Sequence, residues 1–320
     1  MLRSTSSIRS ITCKVSAICA LAITLFAATP ALKGQTYPTF TSGNKMALNT
    51  NYSPAAAVFN GKVYLAYSNQ SQNGDLYVST STDGVNFTNP GTLVSTVSTG
   101  LGYAMVVFNG KLYLAQNNGL TAQLLSTSDG VNWSVVNANI AANVYDWRLG
   151  LAVFNGRLYL AFGGNNGSGG PYPTIAYTTD GVNFSSPITV NTTTIASGLV
   201  LATYNNKLYL GYTETTAHHP ILASSADGST WSSVEDTGIT FGGDPALFDF
   251  NQALFLAGRS NFSSDNLWMA GTFDGVNFEA QKEYGQSLTQ SPALVVFNGV
   301  LFQYGKSNFG TNIWYYEAPS

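Results

Sequence analysis

The sequence predicts an all-β protein, a six-bladed β-propeller with four antiparallel strands in each blade. Three observations lead to this fold. One short phrase recurs six times at a blade-sized period, each period contains four strand-like runs, and the two chain ends supply complementary parts of one blade. The N-terminal strand is therefore expected to pair into the last blade and close the ring. Closure removes the open sheet edges that would otherwise promote aggregation.

The recurring phrase is an aromatic residue followed by Asn and, in most copies, Gly. Its Asn positions are 49, 46, 50, 46 and 47 residues apart. The six copies are Phe59-Asn60-Gly61, Phe108-Asn109-Gly110, Phe154-Asn155-Gly156, Tyr204-Asn205-Asn206, Phe250-Asn251-Gln252 and Phe297-Asn298-Gly299. Asn-Gly between alternating apolar runs predicts a tight β-hairpin. Each copy therefore marks the turn between the first and second strands of a blade.

Five of the six periods also contain a second phrase, Asp-Gly, which separates the third and fourth strand-like runs. In the first period the four runs cover Ser53–Phe59, Lys62–Ser68, Asp75–Ser81 and Asn86–Ser95. Four antiparallel strands in about 48 residues are the size of a propeller blade.

The chain ends predict how the ring closes. Phe40 stands 20 residues before Asn60, and in complete periods the aromatic residue of the Asp-Gly phrase precedes the next Asn by 20 to 22 residues. The first strand of the fold is therefore a fourth strand near Phe40. After Asn298 there is room for only three strands, the last of them near Trp314. The strand near Phe40 is expected to pair beside it.

The Asp-Gly phrase resembles the Asp-box of the sialidase-type (BNR) repeat family, a Ser or Thr followed by Asp, Gly and an aromatic residue. The five copies are Ser81/Asp83/Gly84/Phe87, Thr127/Asp129/Gly130/Trp133, Thr178/Asp180/Gly181/Phe184, Ser225/Asp227/Gly228/Trp231 and Thr272/Asp274/Gly275/Phe278. The resemblance spans about residues 37–320. Each Asp is predicted to accept hydrogen bonds within its own turn, and each aromatic residue to pack between neighbouring sheets. The resemblance implies that these structural Asp residues lie on the face opposite the ligand-binding face.

The residues of sialidase catalysis are missing from this sequence. That family uses three arginines, a Tyr/Glu nucleophile pair and an acidic Asp, with an Arg-Ile-Pro motif before the first Asp-box; no Arg-Ile-Pro is present. Beyond residue 34 the arginines are Arg148, Arg157 and Arg259, and Arg157 belongs to the Asp-box face. We therefore expect a member of this family that is not a sialidase.

The first 34 residues are predicted to be a secretion signal and residues 35–320 the propeller. Arg3, Arg9 and Lys14 precede an apolar run that is short for a membrane-spanning helix, and Ala31 suits a cleavage site. A retained anchor is the alternative. Both cysteines lie in this segment, so the mature protein contains neither disulfides nor thiol chemistry. We expect a secreted monomer, extracellular or periplasmic, without membrane contact after cleavage.

Composition restricts the partners. Charged residues make up 9% of the chain and the net charge is −3, which provides no electrostatic footprint for nucleic acid. No cofactor is predicted. His218 and His219 adjoin each other, but the sequence offers no third ligand, so no metal site is predicted.

Candidate site residues are those that break the repeat in the loops away from the Asp-boxes. Asp146, Trp147 and Arg148 begin the third blade, and Asp244 begins the fifth. The two aspartates could form an acid/base pair or bind sugar hydroxyls, and Glu214 is a further catalytic candidate. The alternative is that the aspartates cap turns.

A second departure is shared by two neighbouring blades. Their loops between the second and third strands each carry a cation and an aromatic residue, which suits stacking and hydrogen bonding to sugars. These residues are Arg259 and Phe262 in blade five and Lys306 and Phe309 in blade six. Simple duplication of adjacent repeats is the alternative.

Three functions are compatible with these features. The first hypothesis is a secreted, lectin-like propeller that binds carbohydrate without catalysis, and its partners would be glycans. The second is a glycoside hydrolase that uses Asp146 and Asp244, with Glu214 as a further candidate. The third is a surface scaffold that binds a protein. A pair of carboxylates about 5–10 Å apart across a pocket would favour hydrolysis.

Overall fold

The computed structural model describes residues 37–72, 74–96, 102–118, 121–142, 144, 148–165, 170–240, 242–260, 265–308 and 310–319. They belong to one compact unit, Gln35–Ser320. The predicted secretion signal, residues 1–34, lies outside the described residues. In the part that the structure describes, a single turn of 3-10 helix covers Gln70–Gln72, and no helix is long and apolar enough to cross a membrane.

The predicted six-bladed, all-β propeller is confirmed, with four antiparallel strands in each blade. Blade one is β2 (Ala55–Phe59), β3 (Lys62–Asn69), β4 (Asp75–Ser81) and β5 (Thr92–Ser95). Blade two is β6 (Ala104–Phe108), β7 (Lys111–Asn117), β8 (Thr121–Thr127) and β9 (Ser134–Ala142). Blade three is β10 (Gly150–Phe154), β11 (Arg157–Asn165), β12 (Pro171–Thr178) and β13 (Ile188–Thr189).

The remaining blades follow the same order until the last strand. Blade four is β14 (Ile195–Tyr204), β15 (Lys207–Glu214), β16 (Pro220–Ser225) and β17 (Glu235–Asp236). Blade five is β18 (Gly242–Phe250), β19 (Ala253–Arg259), β20 (Asn266–Thr272) and β21 (Lys282–Ser287). Blade six is β22 (Ala293–Phe297), β23 (Val300–Lys306), β24 (Asn312–Pro319) and β1 (Asn44–Asn49). The first strand of every blade contacts that of the next, so these strands surround a central channel.

The ring closes through the predicted pairing of its two ends. Strand β1 runs antiparallel to β24, with Lys45 opposite Trp314. Its inward residues Met46 and Leu48 are buried against the first and sixth blades. Phe40, the residue that located this strand in the sequence, lies just before β1 and packs under blade five instead. The predicted closure is therefore right, and the strand begins a few residues later than the aromatic spacing indicated.

The aromatic-Asn phrases form the predicted hairpins. Asn60 and Gly61 have φ angles of +47° and +70°, the left-handed pair that a two-residue turn requires. The other five hairpins repeat this conformation, and Asn206 and Gln252 adopt it where Gly is replaced. Local residue chemistry therefore determines where each blade folds back on itself.

The Asp-Gly turns are closed by their own carboxylates, as predicted. In the second blade Asp129 Oδ1 accepts the backbone N–H of Val131 and of Asn132, each at 2.8 Å, and Oδ2 accepts the Asn132 side-chain amide at 2.7 Å. Thr127 Oγ1 donates to the same carboxylate and accepts the N–H of Gly130 at 2.9 Å. The other four turns also hold their aspartates through two backbone N–H groups.

Neighbouring blades interlock at these turns. The turn glycine faces an aromatic ring on the second strand of the preceding blade, so that a side chain at Gly181 would overlap Tyr113. The turn's own aromatic residue packs on the same strand of the preceding blade: Gly84 faces Phe302 on β23, and Phe87 meets Tyr304 on that strand edge-to-face at 5.5 Å between centroids. The aromatic residues of the other four turns pack on equivalent clusters. The predicted packing of these residues between sheets is therefore observed.

The outer strand of blade one is shorter than the sequence pattern indicated. The predicted run Asn86–Ser95 contains only β5 as regular strand. Asp83 holds the N–H groups of Val85 and Asn86 in the turn, and regular pairing with β4 begins only at Thr92.

Candidate active site at the channel mouth

The mouth is the end of the ring opposite the Asp-Gly turns. Because the strands are antiparallel, the loops between second and third strands and those between blades meet at this end. Of the predicted site residues, Asp146, Trp147, Phe262 and Phe309 lie outside the described residues. The structure places the others, and it brings Arg148 and Asp244 into one electrostatic environment.

Arg148 precedes β10 and is held by its neighbours on both sides. Its carbonyl accepts the backbone N–H of Leu199 at 3.0 Å, which ties it to blade four. Gly102 packs on its other side, where a Cβ on this glycine would lie 3.0 Å from both Cβ and Cγ of Arg148. Only 9% of Arg148 is exposed, and its Nη1 is buried without a hydrogen-bond partner. A buried guanidinium N–H without a hydrogen-bond partner is unusual, because such groups are normally paired.

Asp244 lies near the start of β18, where the strand is irregular. Ser291 donates a hydrogen bond to its backbone carbonyl from blade six. Gly198 of blade four lies directly against its carboxyl, since a Cβ there would come within 2.5 Å of Asp244 Cγ. A larger residue at position 198 would displace the carboxyl. Residues from two other blades therefore fix the position of Asp244, and the residue as a whole is only partly buried.

The charges of Asp244 and Arg148 are both disfavoured by their surroundings. Burial raises the pKa of the Asp244 carboxyl, while the positive charges of Arg148 and Arg259 oppose the shift. Burial lowers the pKa of Arg148, and the charge of Asp244 opposes that shift. The two groups have no N···O contact within 4.0 Å. Their charges interact, but the two side chains form no direct ion pair. Neither is therefore tied to the other by a direct contact.

The third catalytic candidate, Glu214, is bound to its own loop. It ends β15, and its carboxylate accepts the backbone N–H of Thr216 at 2.5 Å and that of Ala217. Burial alone would raise the pKa of Glu214, but these hydrogen bonds lower it. This arrangement favours a turn-capping role over proton transfer.

The loops of blades five and six are linked by an acidic residue that the sequence interpretation missed. Asp265 accepts a contact from Arg259 Nη1 at 3.3 Å and a hydrogen bond from Asn308 Nδ2 at 3.3 Å. Lys306 instead donates to the carbonyl of Asn51 at 3.4 Å. Asp265 stands where the repeated loop phrase of blade five differs from that of blade six, and this difference was the available signal. The two cations are therefore engaged in joining loops.

The described residues contain no group of three or more metal-ligating side chains. His219 Nδ1 contacts Asp236 Oδ2 at 3.1 Å, and this pair is exposed.

No protein-family profile and no curated protein matches the sequence. The fold is similar to solved structures of low identity. An α-L-arabinanase from Penicillium chrysogenum, complexed with arabinobiose, has a TM-score of 0.68 at 15% identity, covering 88% of this chain and 99% of that one. An α-L-arabinofuranosidase from Fusarium graminearum, bound to an iminosugar inhibitor, has a TM-score of 0.68 at 13% identity, covering 89% and 98%. A neuraminidase-like protein of a bat influenza virus has a TM-score of 0.58 at 9% identity, covering 89% and 100%.

These similarities support a propeller fold like that of sialidases, and they correct the first functional hypothesis. The sequence alone favoured a lectin-like protein without catalysis. The similar structures include several glycosidases, so the comparisons contradict that reading and favour its alternative, a glycoside hydrolase. At these identities they show the fold alone. Any activity has to rest on the residues of this chain.

Proposed function

We propose that this protein is a glycoside hydrolase in which Asp244 is the general acid. The observation that carries the proposal is a carboxyl at the channel mouth, held by two neighbouring blades, whose pKa is raised mainly by burial. A general acid must hold its proton at the working pH and release it to the leaving-group oxygen, and a raised pKa supplies this. Asp244 as a whole residue keeps some exposure to solvent at the mouth.

Hydrolysis also needs a second carboxylate, as general base or nucleophile. Asp146 is the candidate that we carry forward from the sequence, since Glu214 is occupied by its own turn. The role of Arg148 in this proposal is electrostatic: its charge limits the rise in the pKa of Asp244, so that the proton can still be transferred.

A sialidase mechanism is not part of the proposal. Sialidases hold their substrate carboxylate with three arginines, and in this chain Arg157 stands at the opposite end of the ring. Its guanidinium lies 4.5 Å from the centroid of the Tyr177 ring. We therefore propose a member of the Asp-box family with a neutral glycan as substrate. Arabinose-containing oligosaccharides are the first choice, because similar folds act on them.

The test is hydrolysis of arabino-oligosaccharides, xylo-oligosaccharides and sialyllactose by wild-type protein and by Asp244→Asn. We expect release of neutral sugar by the wild type and a fall in kcat/KM of about 10²–10⁴-fold in the variant. Asp249→Asn is the matched control, because Asp249 lies on the same strand, β18, but toward the Asp-Gly end. It should retain wild-type kcat/KM. An inactive wild type, or full activity in Asp244→Asn, would contradict the proposal.

We propose further that the protein is exported as a monomer after removal of about residues 1–34. The support is the basic, then apolar, then small-residue order of that segment. Mass spectrometry of the N-terminus after expression in a secreting host tests the cleavage. An intact Met1 on the exported protein would contradict it.

A further inference from the structure

A groove lies on the outer side of the ring, at the boundary between blades six and one. Its larger part is a cavity of about 360 Å³ between the closing strand β1 and the Asp-Gly turn of blade one. A second cavity of about 230 Å³ continues it toward the loop between β3 and β4. The two cavities adjoin, because both are lined by Ala47, Leu48 and Asn89. The groove therefore follows β1 along the side of the ring.

Two other boundaries between blades are bridged at the level of the Asp-Gly turns. Between blades two and three, Asn137 Nδ2 on the outer strand donates to the carbonyl of Val182 at 3.0 Å. Between blades five and six, the Tyr284 hydroxyl on the outer strand donates to the carbonyl of Pro38 at 3.0 Å. These carbonyls are equivalent, since each lies two residues before the packed aromatic residue of its turn. Val85 holds this position in blade one, and within the described chain no hydrogen bond joins its carbonyl to β1.

The lining of the groove offers hydrogen-bonding groups and aromatic rings with little charge. Asn44 and Asn89 contribute side-chain amides, and Phe87 and Tyr315 contribute rings. Lys45 is the only charged residue among the described ones that line the two cavities. A side-chain amide both donates and accepts hydrogen bonds, as a hydroxyl group does, and aromatic rings provide apolar contact surface. This lining suits a neutral ligand rich in hydroxyl groups better than an ionic one.

Asn89 is a lining residue that departs from the repeat. The residue two positions after the aromatic of the turn is Val135, Ser186, Ser233 or Ala280 in the other Asp-Gly turns. The side-chain amide of Asn89 is exposed and makes no hydrogen bond with the described part of the chain. It has no part in holding the turn and can bind a ligand without breaking a contact of the fold.

We propose that this groove, formed by β1 and residues 85–89, binds a neutral oligosaccharide. The volume of the larger cavity lies within the range of about 300–1,000 Å³ that is usual for small-molecule sites. The second cavity extends the groove along β1, which suits a chain of sugar units better than a single one. The groove is on the outer side of the ring, whereas Asp244 belongs to the innermost strand of blade five. Binding here accompanies the proposed hydrolysis at the mouth and does not depend on it.

Methyl NMR of protein labelled with carbon-13 at its methionines locates the binding. Met46 lines the groove, Met105 lines the central channel, and Met269 is buried in blade five. Arabinotriose, xylotriose and cellotriose are titrated separately to about 10 mM, which mostly saturates a site with a Kd of about 1 mM. The titrated protein is Asp244→Asn, so that no probe is consumed at the proposed hydrolytic site. At least one probe should shift the Met46 resonance in a saturable manner and leave that of Met269 unchanged.

Two substitutions in the groove test where the probe binds. Ala47 is exposed and lines both cavities, so Ala47→Trp should fill the groove and abolish the Met46 response. Asn89→Ala removes one amide and should weaken binding by about 3–10-fold, the effect of one hydrogen bond. Ser186→Ala changes the same position in the turn of blade three and is the matched control. It should bind like the parent.

Four results would overturn the proposal. The first is that none of the three sugars shifts Met46, and the second is that a sugar shifts only Met105, which reports binding in the channel. The third is equal affinity in Ala47→Trp, Asn89→Ala and Ser186→Ala. The fourth is a saturable Met46 shift with a neutral Gly-Ser tetrapeptide but with no sugar, which would assign the groove to a peptide. Hydrolysis is assayed separately, so its absence would leave this result intact.

Discussion

Aspartates at the two ends of the ring have opposite electrostatic behaviour. At one end the turn residue Asp129 is exposed, yet the N–H groups of Val131 and Asn132 hold its pKa well below the ordinary range. At the mouth Asp244 is partly buried and has a raised pKa. The turn aspartates are thereby fixed as charged acceptors that hold the fold, whereas Asp244 is fitted to hold a proton.

This contrast follows from how each carboxylate is surrounded. In the turn, hydrogen-bond donors stabilise the charged form, because the backbone curls around the carboxylate. At the mouth, burial between neighbouring blades raises the pKa of Asp244 more than nearby arginines and hydrogen bonds from Gly198 and Ser197 lower it, which favours the neutral form. In a repeat protein, therefore, the repeated positions show which residues hold the fold. Departures from the repeat are where chemistry is to be sought.

The largest effect on stability is expected from removing the closing strand β1, because this strand completes blade six. Deleting residues 37–49 exposes β24 and removes the burial of Met46 and Leu48. Loss of a buried Met or Leu side chain costs about 2–5 kcal/mol, so the melting temperature should fall by more than about 10 °C. Lys45→Ala, an exposed change in the same strand, is the control and should melt like the wild type. A deletion variant that melts within a degree or two of its parent would show that closure contributes little.

A smaller effect is expected from two glycine substitutions, which distinguish the contribution of turn geometry from that of packing between blades. Gly156 and Gly181 both have positive φ, +68° and +79°, but a side chain at Gly156 meets nothing within 4 Å and one at Gly181 overlaps Tyr113. Gly156→Ala should lose about 1–2 kcal/mol of unfolding free energy through backbone strain. Gly181→Ala should lose about 2–5 kcal/mol, because the Tyr113 contact adds overpacking. Urea unfolding measures both, and equal losses would mean that the rings do not interlock the blades.

The smallest effect concerns the turn carboxylates and depends on pH. Because the folded-state pKa of Asp129 is lowered, its contribution to stability is present above the unfolded pKa of about 3.9 and is lost as pH falls below it. Asp129→Asn should therefore unfold at a lower urea concentration than the wild type at pH 7. The two midpoints should draw closer as the pH falls below about 3.9, and they should converge only below the lowered folded-state pKa.

The control for this measurement is Asp249→Asn. Burial raises the pKa of Asp249, so its charge opposes folding and the substitution should cause no loss at pH 7. If instead Asp129→Asn lowers the urea midpoint equally at pH 7 and pH 2.5, the carboxylate charge has no part in the turn. Hydrolytic activity of Asp129→Asn should remain unchanged, since the turn lies at the end away from the mouth.

The fold was predictable because the turns between its strands are determined by local residues. Asn60-Gly61 and its relatives require a left-handed turn by residue type alone, and Asp129 completes its hydrogen bonds within three residues. The extent of the outer strands was not predictable in the same way. Ile188–Thr189 and Glu235–Asp236 are two-residue strands, whereas Ser134–Ala142 has nine residues, although the Asp-Gly turns before all three make the same backbone hydrogen bonds.

The site was predictable only in part. Asp244 and Arg148 stood out as departures from the repeat, but Gly198 and Ser291 did not, because they reach Asp244 from other blades. The functional hypothesis was wrong for a different reason. The absence of one family's catalytic residues was taken as an absence of catalysis, whereas a propeller mouth can carry carboxylates in other arrangements.

The pairing of β1 with β24 also has a consequence for biogenesis. Among the strands, the ribosome makes β1 first and its partner β24 last, so Met46 and Leu48 lack their contacts with blade six until that blade has been made. A chain truncated before β24 leaves β1 without a neighbour in the sheet, with open edges and apolar surface. Such fragments are the species that chaperones and proteases recognise. The first strand therefore becomes paired in a sheet only in a chain that includes β24.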